Sequence, residues 1–219
     1  MKNKIVFIIL LFAALFMIPC YGQGKRKKKE PEMPKELLYP QVQPQYFEEQ
    51  LDKFVKEWIC KFQFPANAKS FKANFRDCQH LTPGAIQQGL LGFRNIAMHP
   101  DLEEVTRLPR SWYIEIFNAA LPLEQASKKL LNVSLIPSEQ KFQESKAMFI
   151  VTATKVLAIY EKKPKKIAKE KYEEICAKNK ARRKKEWLEN YKKQQAELAK
   201  KRAAKKNKVR KNDEKESEE

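Results

Sequence analysis

The chain has 219 residues, 33% of them charged, with 45 Lys and Arg against 27 Asp and Glu for a formal net charge of +18. That length admits one domain with extensions, or two small domains, and excludes a large multidomain assembly. The charge is uneven: residues 30–161 sum to −1, while residues 25–29 carry +5 and residues 162–219 a further +12, so the basicity belongs to two extensions flanking a nearly neutral piece.

Lys2 and Lys4 precede an unbroken apolar run from Ile5 to Ile18, followed by Pro19 and then Cys20 and Gly22. This is the basic, apolar and small-residue pattern of a secretory signal peptide over residues 1–22, with cleavage before Gln23. Pro19 in front of Cys20 disfavours lipidation of that cysteine. The run Lys25-Arg26-Lys27-Lys28-Lys29 pulls against export, because basic clusters resist translocation. Left uncut, Ile5 to Tyr21 is just long enough to anchor the chain in a bilayer. The preferred reading is an exported protein (periplasmic, cell-surface or secreted); the alternative is an N-terminally membrane-anchored one facing the cytoplasm. Residues 23–43 then form a basic, Pro-rich linker.

Residues 44–163 read as a compact α-helical domain. Phe47, Leu51, Phe54, Val55, Trp58, Ile59 and Phe62 recur at a 3.6 period and predict a helix from about Tyr46 to Gln63, opened by Pro44 and closed by Phe64-Pro65. Phe71, Phe75 and Cys78 predict a shorter second helix. Thr82-Pro83 reads as N-cap and first turn of a third, with Ile86, Leu90, Phe93 and Ala97 on its apolar face. Gly84, Gly89 and Gly92 weaken that helix unless they permit close packing. After the break at His99-Pro100-Asp101, a helical turn carries Leu102, Val105 and Leu108. Residues Ser111 to Phe117 suit a strand or a helix capped by Ser111; the lack of a pairing strand nearby favours the helix. Leu123 to Leu131 is a further helix entered through Pro122. Ser138 to Glu161 contains no Gly or Pro and is apolar nearly all round, which predicts a central buried helix.

Pro164 closes the domain, and residues 164–211 predict one long basic helix rich in Ala, Lys, Glu, Gln and Arg. Residues 212–219 read as an acidic disordered tail. The whole is an all-α protein: a multi-helix domain followed by a long basic C-terminal helix. Tyr172 and Ile175 are placed to dock the start of that helix on the domain. Beyond them Arg182, Arg183, Lys184, Lys185, Lys192 and Lys193, with Trp187 and Tyr191 one turn apart, form a candidate polyanion-binding surface. The plain alternative is a solvated, ion-paired helix.

Cys60 and Cys78 are a candidate disulfide of an exported protein, although the helical phase puts Cys60 opposite its apolar stripe; the competing reading is a buried Cys78 with unpaired Cys60 and Cys176. Cys60, Cys78, His80 and His99 lack the spacing of a metal site. No nucleophile elbow, phosphate loop, dinucleotide-binding glycine pattern or zinc-protease motif is present. Asp101, Glu103 and Glu104 read as the negative start of a helix. The chemistry therefore points to binding without catalysis, metal or cofactor. The partner is an anionic envelope polymer or lipid headgroups if the chain is exported, and nucleic acid or anionic lipid if it faces the cytoplasm. A scaffold or assembly subunit of a cell-envelope complex, contacting protein partners, is the other reading.

Overall fold

The computed structural model describes residues 31–216, with side chains through 204. The expected signal peptide or anchor, its cleavage site, Cys20 and the basic run 25–29 lie outside the described residues, as do residues 217–219. Every regular element among the described residues is helical, so the chain is all-α with a long C-terminal helix.

A single 3-10 turn, Lys35–Leu38, interrupts the Pro-rich linker. Helix α1 (Pro44–Asp52) begins with Pro44 in its first turn, two residues before the expected start. It passes into a π-helical stretch, Lys53–Trp58, and a 3-10 turn, Ile59–Lys61. The predicted stripe is the buried face: Phe47, Leu51, Phe54, Val55 and Ile59 are all in the core. α2 (Ala68–Ala73) is shorter than Phe71 to Cys78 suggested, and turns carry the chain to a 3-10 turn at Gln79–Leu81. Asn67 caps α2 by accepting from the Ser70 N–H at 2.9 Å. Glu139, far along the chain, accepts from the Ala68 N–H at 2.8 Å, and that bond holds its carboxyl below the usual range.

α3 (Pro83–Ala97) starts where Thr82-Pro83 predicts, but the Thr82 hydroxyl donates back to the Gln79 carbonyl at 2.7 Å instead of capping. α4 (Leu102–Thr106) stops at Arg107, whose φ of 58° is left-handed. α5 (Arg110–Ala120) settles the strand-or-helix question as helix, with Pro109 rather than Ser111 at the cap position. There Glu103 accepts from the Arg110 N–H at 2.9 Å. α6 (Pro122–Leu135) and α7 (Glu139–Glu161) follow, joined by a short connection into a helical hairpin. α7 packs against both α6 and α5, and α3 packs on α5 and α6.

One packing expectation needs correction. α7 is not buried all round: its core residues are Phe142, Ser145, Phe149, Thr152 and Val156, a single stripe, while Ile150 is 53% and Val151 66% exposed. Ser145 enters the core because its hydroxyl is satisfied within its own helix, donating to the Lys141 carbonyl at 2.9 Å. Hydropathy alone does not distinguish a two-sided helix from a one-sided helix with surplus apolar residues.

An aromatic chain links three of these helices. Phe54 lies flat on Phe93 at 3.9 Å, Trp58 tilts against Phe54, Phe62 meets Trp58 edge-on, and Phe149 of α7 receives the edge of Phe62. Trp58 reaches α3 at Gly89, where an added Cβ would stand 2.3 Å from the indole ring. Gly84 and Gly92 face open space, so of the three glycines only Gly89 is required by packing.

Candidate functional site

The C-terminal helix, α8, runs over Lys169–Glu216, five residues past the expected end at Lys211 because no Gly or Pro interrupts it. The expected acidic tail is therefore helical backbone as far as Glu216. The base of α8 is fastened to α4 and to the Lys35–Leu38 turn. Left-handed Arg107 turns its carbonyl to the Ile167 N–H at 2.9 Å and its guanidinium onto the Tyr172 ring at 4.6 Å, and the Tyr172 hydroxyl donates to the Glu104 carbonyl. Tyr172 and Ile175 thus stand on the docked half, Ile175 half-buried.

One turn later Asn179, buried, donates to the Pro100 carbonyl at 3.2 Å and to Glu104 at 2.9 Å. Arg182 and Arg183 follow on the same face. Arg182 reaches Asp101 at 2.7 Å and Glu186 at 3.1 Å, while its Nε is buried without a partner. Arg183 grips Glu104 with both ends of its fork, at 2.9 and 3.0 Å, shares Asp101 at 2.8 Å, and donates twice to the Leu38 carbonyl. The Arg183 and Glu104 side chains are only 10% and 9% exposed, so this ion pair is shielded from water rather than lying on the surface.

The eight residues expected to form a polyanion surface therefore divide. Arg182 and Arg183 face the domain, where Asp101, Glu104 and the Leu38 carbonyl accept from them. Lys184, Lys185, Lys192 and Lys193 are exposed. Trp187 and Tyr191 stack on each other at 5.4 Å with 24° between their planes, half-exposed. Leu198, 46% exposed, shares their face at the next helical repeats. From Lys192 to Ala204 every residue is exposed. Sequence reasoning missed the acidic half of the ion cluster, reading Asp101 and Glu104 as helix-dipole residues. The available signal was the pair of complementary clusters, Asp101 to Glu104 and Arg182-Arg183.

His99 borders this cluster. Its Nδ1 accepts from the Asp101 N–H at 3.2 Å, its ring meets Phe47 edge-on, and its carbonyl accepts from Arg110 at 2.9 Å. Burial pushes the imidazole below its ordinary value of 6.5, Arg182 and Arg110 push the same way, and Asp101 pulls back. A base with a lowered folded-state pKa binds fewer protons folded than unfolded. Its contribution is complete above the unfolded value of 6.5 and declines as the pH falls through 6.5 toward the folded value. The midpoint of thermal unfolding should drop between pH 7 and pH 5, and His99→Gln should flatten that slope; equal slopes in the two proteins would remove His99 as the cause.

Cys60, Cys78 and Cys176 are free thiols in this structure, which holds no Cys60–Cys78 bond among the described residues. Cys60 is exposed on its 3-10 turn while Cys78 points into the core, so the two thiols face different surroundings. His80 is within 3.2 Å of the Gln63 carbonyl. Among the described residues no group of three or more His, Cys, Asp or Glu is arranged to hold a metal ion. No helix among them is long and apolar enough to cross a membrane. No family model matches this chain, and no curated protein or solved structure does either.

Proposed function

We propose that the protein binds an anionic partner through the exposed part of α8, without catalysing a reaction. The observation that carries this is the change of environment at Lys184: the helix is pinned through Arg183, and beyond it Lys184, Lys185, Lys192, Lys193, Lys200, Lys201 and Arg202 are presented to solvent on a fixed base. The acids on that stretch are fewer, Glu186, Glu189 and Glu197, and two of them are paired within the helix, to Arg182 and Lys201. The Trp187–Tyr191 stack beside the lysines supplies an amphipathic surface of the kind that settles at a lipid interface. With an export signal, anionic envelope polymers or lipid headgroups are the partner this chemistry selects. A docked base matters energetically, because a helix already held in place loses less entropy on binding than a free one.

The full chain should bind phosphatidylglycerol-containing vesicles and immobilised polyphosphate in a salt-dependent way. The variant Lys184→Glu/Lys185→Glu/Lys192→Glu/Lys193→Glu should lose about two to three orders of magnitude in affinity, since each lysine near an anionic surface contributes on the order of 1 kcal/mol. A blue shift confined to Trp187 emission selects lipid over polymer. Equal binding by variant and parent rules the arm out, and retention by duplex DNA alone moves the partner to nucleic acid.

A second reading has an observation of its own. Ile150 and Val151 stand exposed in the middle of α7, and Ile150 edges an apolar groove of about 250 Å³ walled by Phe62, Phe64 and Phe149. Such a surface suits a subunit of an envelope assembly that contacts protein partners.

A further inference from the structure

The outward side of α7 carries an uncharged strip that the domain leaves uncovered. Ala147, Ile150, Val151, Thr154 and Ala158 recur at three- and four-residue spacings and are all exposed. At 3.6 residues per turn they fall within about 100° of one another around the helix. They are the apolar surplus of a segment whose sequence reads as buried on all sides, while one copy of the domain buries only the stripe from Phe142 to Val156. On the Ile150 side the strip runs into the groove of about 250 Å³ walled by Phe62 and Phe64, so the two form one continuous apolar surface.

The charges that border the strip select its occupant. Glu144 and Lys155 are eleven residues apart, about three helical turns, so they stand on the same edge, roughly 16 Å apart along the axis. Both are exposed, and Glu144 accepts only from Gln140 of its own helix, at 3.0 Å, among the described residues. Lay α7 against a second α7, antiparallel, about a two-fold axis perpendicular to both. Each edge then meets the same edge of the other copy running backwards. With the axis passing beside Ile150, in the middle of the strip, Glu144 of each copy comes level with Lys155 of the other, and the pairing is made twice. A parallel pair would put these charges on opposite edges and gain neither contact.

We propose that this face pairs with a second copy of the chain, α7 against α7 and antiparallel, with Ile150 and Val151 at the centre and a Glu144–Lys155 ion pair at each end. This rests on the reading of the α7 face as a surface for protein partners, and names the chain itself as the partner. Burial of the strip and groove supplies the affinity. Exposed ion pairs add little to it, but they fix direction and register, because a wrong pairing sets like charges together.

The test is sedimentation velocity of the full chain from about 1 to 200 µM. A monomer–dimer equilibrium with a dissociation constant on the order of 10–100 µM is expected for so small a contact. Val151→Lys should remain monomeric throughout while keeping the parent's circular dichroism and melting temperature, since Val151 is 66% exposed. Glu144→Lys and Lys155→Glu should each weaken the dimer about tenfold, and the double variant should restore it. That rescue separates self-pairing from a structural role, because the two side chains are too far apart to meet within one copy. A parent that stays monomeric at 200 µM overturns the proposal, as does a dimer indifferent to Val151→Lys or single variants that the double exchange does not rescue. If the purified chain is monomeric but runs as a larger species in an extract of its native source, self-pairing fails and the assembly reading stands. A monomer in both removes both.

Discussion

Arg183→Ala is expected to release the base of α8 from the domain and to cost about 3 kcal/mol, the scale on which a buried ion pair responds to loss of one partner. The cost comes from the groups that the substitution strands. Glu104 loses both arms of its fork, Asp101 loses one of its two guanidinium partners, and the Leu38 carbonyl loses both of its donors. With Glu104 9% exposed, water cannot fully replace them. Arg182→Ala should cost less, because that side chain is three times as exposed as Arg183 and spends part of its bonding on Glu186 within its own helix. Amide exchange over residues 170–183 is the direct measurement. It should accelerate in Arg183→Ala while exchange in α6 and α7 holds, since the loss is local before it is global. A double-mutant cycle with Glu104→Ala should return a coupling of about 1 kcal/mol or more. Unchanged exchange at the base of α8 would show that the ion cluster is not what holds it. Lysine in place of Arg183 should behave nearly as badly as alanine, because it has no planar fork to span Glu104.

Gly89→Ala is the second large effect, with an expected loss of about 1–3 kcal/mol from overpacking. The added methyl would sit 2.3 to 2.8 Å from three ring atoms of Trp58, and the indole has little room to yield because Phe54 and Phe62 bracket it. Gly92→Ala, one turn further along the same helix, meets nothing within 4 Å and should instead stabilise by about 0.5–1 kcal/mol through helix propensity. Chemical denaturation of the two variants checks the opposite signs. Trp58→Phe should recover part of the loss in the Gly89→Ala background, because the ring atoms that clash belong to the outer six-membered part of the indole. If Gly89→Ala stabilises as Gly92→Ala does, the Trp58 contact is not a close one in solution.

Local physics explains which parts of this fold were legible beforehand. The apolar period marked α1 through its buried face, Pro83 and Pro122 marked where α3 and α6 begin, and the run free of Gly and Pro from Ser138 to Glu161 marked α7. Each is a signal contained within one or two helical turns. The π-helical stretch Lys53–Trp58 was not legible, because the apolar period runs through it without a break. The exposure of Ile150 and Val151 was not legible either, since it is decided by how many neighbours α7 has rather than by its own composition. The site followed the same rule. Lys184, Lys185, Lys192 and Lys193 stand exposed as their sequence suggested, whereas Arg182 and Arg183 are bound to acids about eighty residues away that no local pattern ties to them.

The two bonds from Arg183 to the Leu38 carbonyl also have a mechanical consequence. They join residues 145 positions apart, one just before the helical domain and one at the point where the arm leaves it. Tension applied between the linker and the arm would be shared by this junction and by the bonds from Arg182 and Arg183 to Asp101 and Glu104. The domain is thereby partly short-circuited: a pull between the two ends has a direct path through one arginine and a carbonyl, beside the longer path through the bundle.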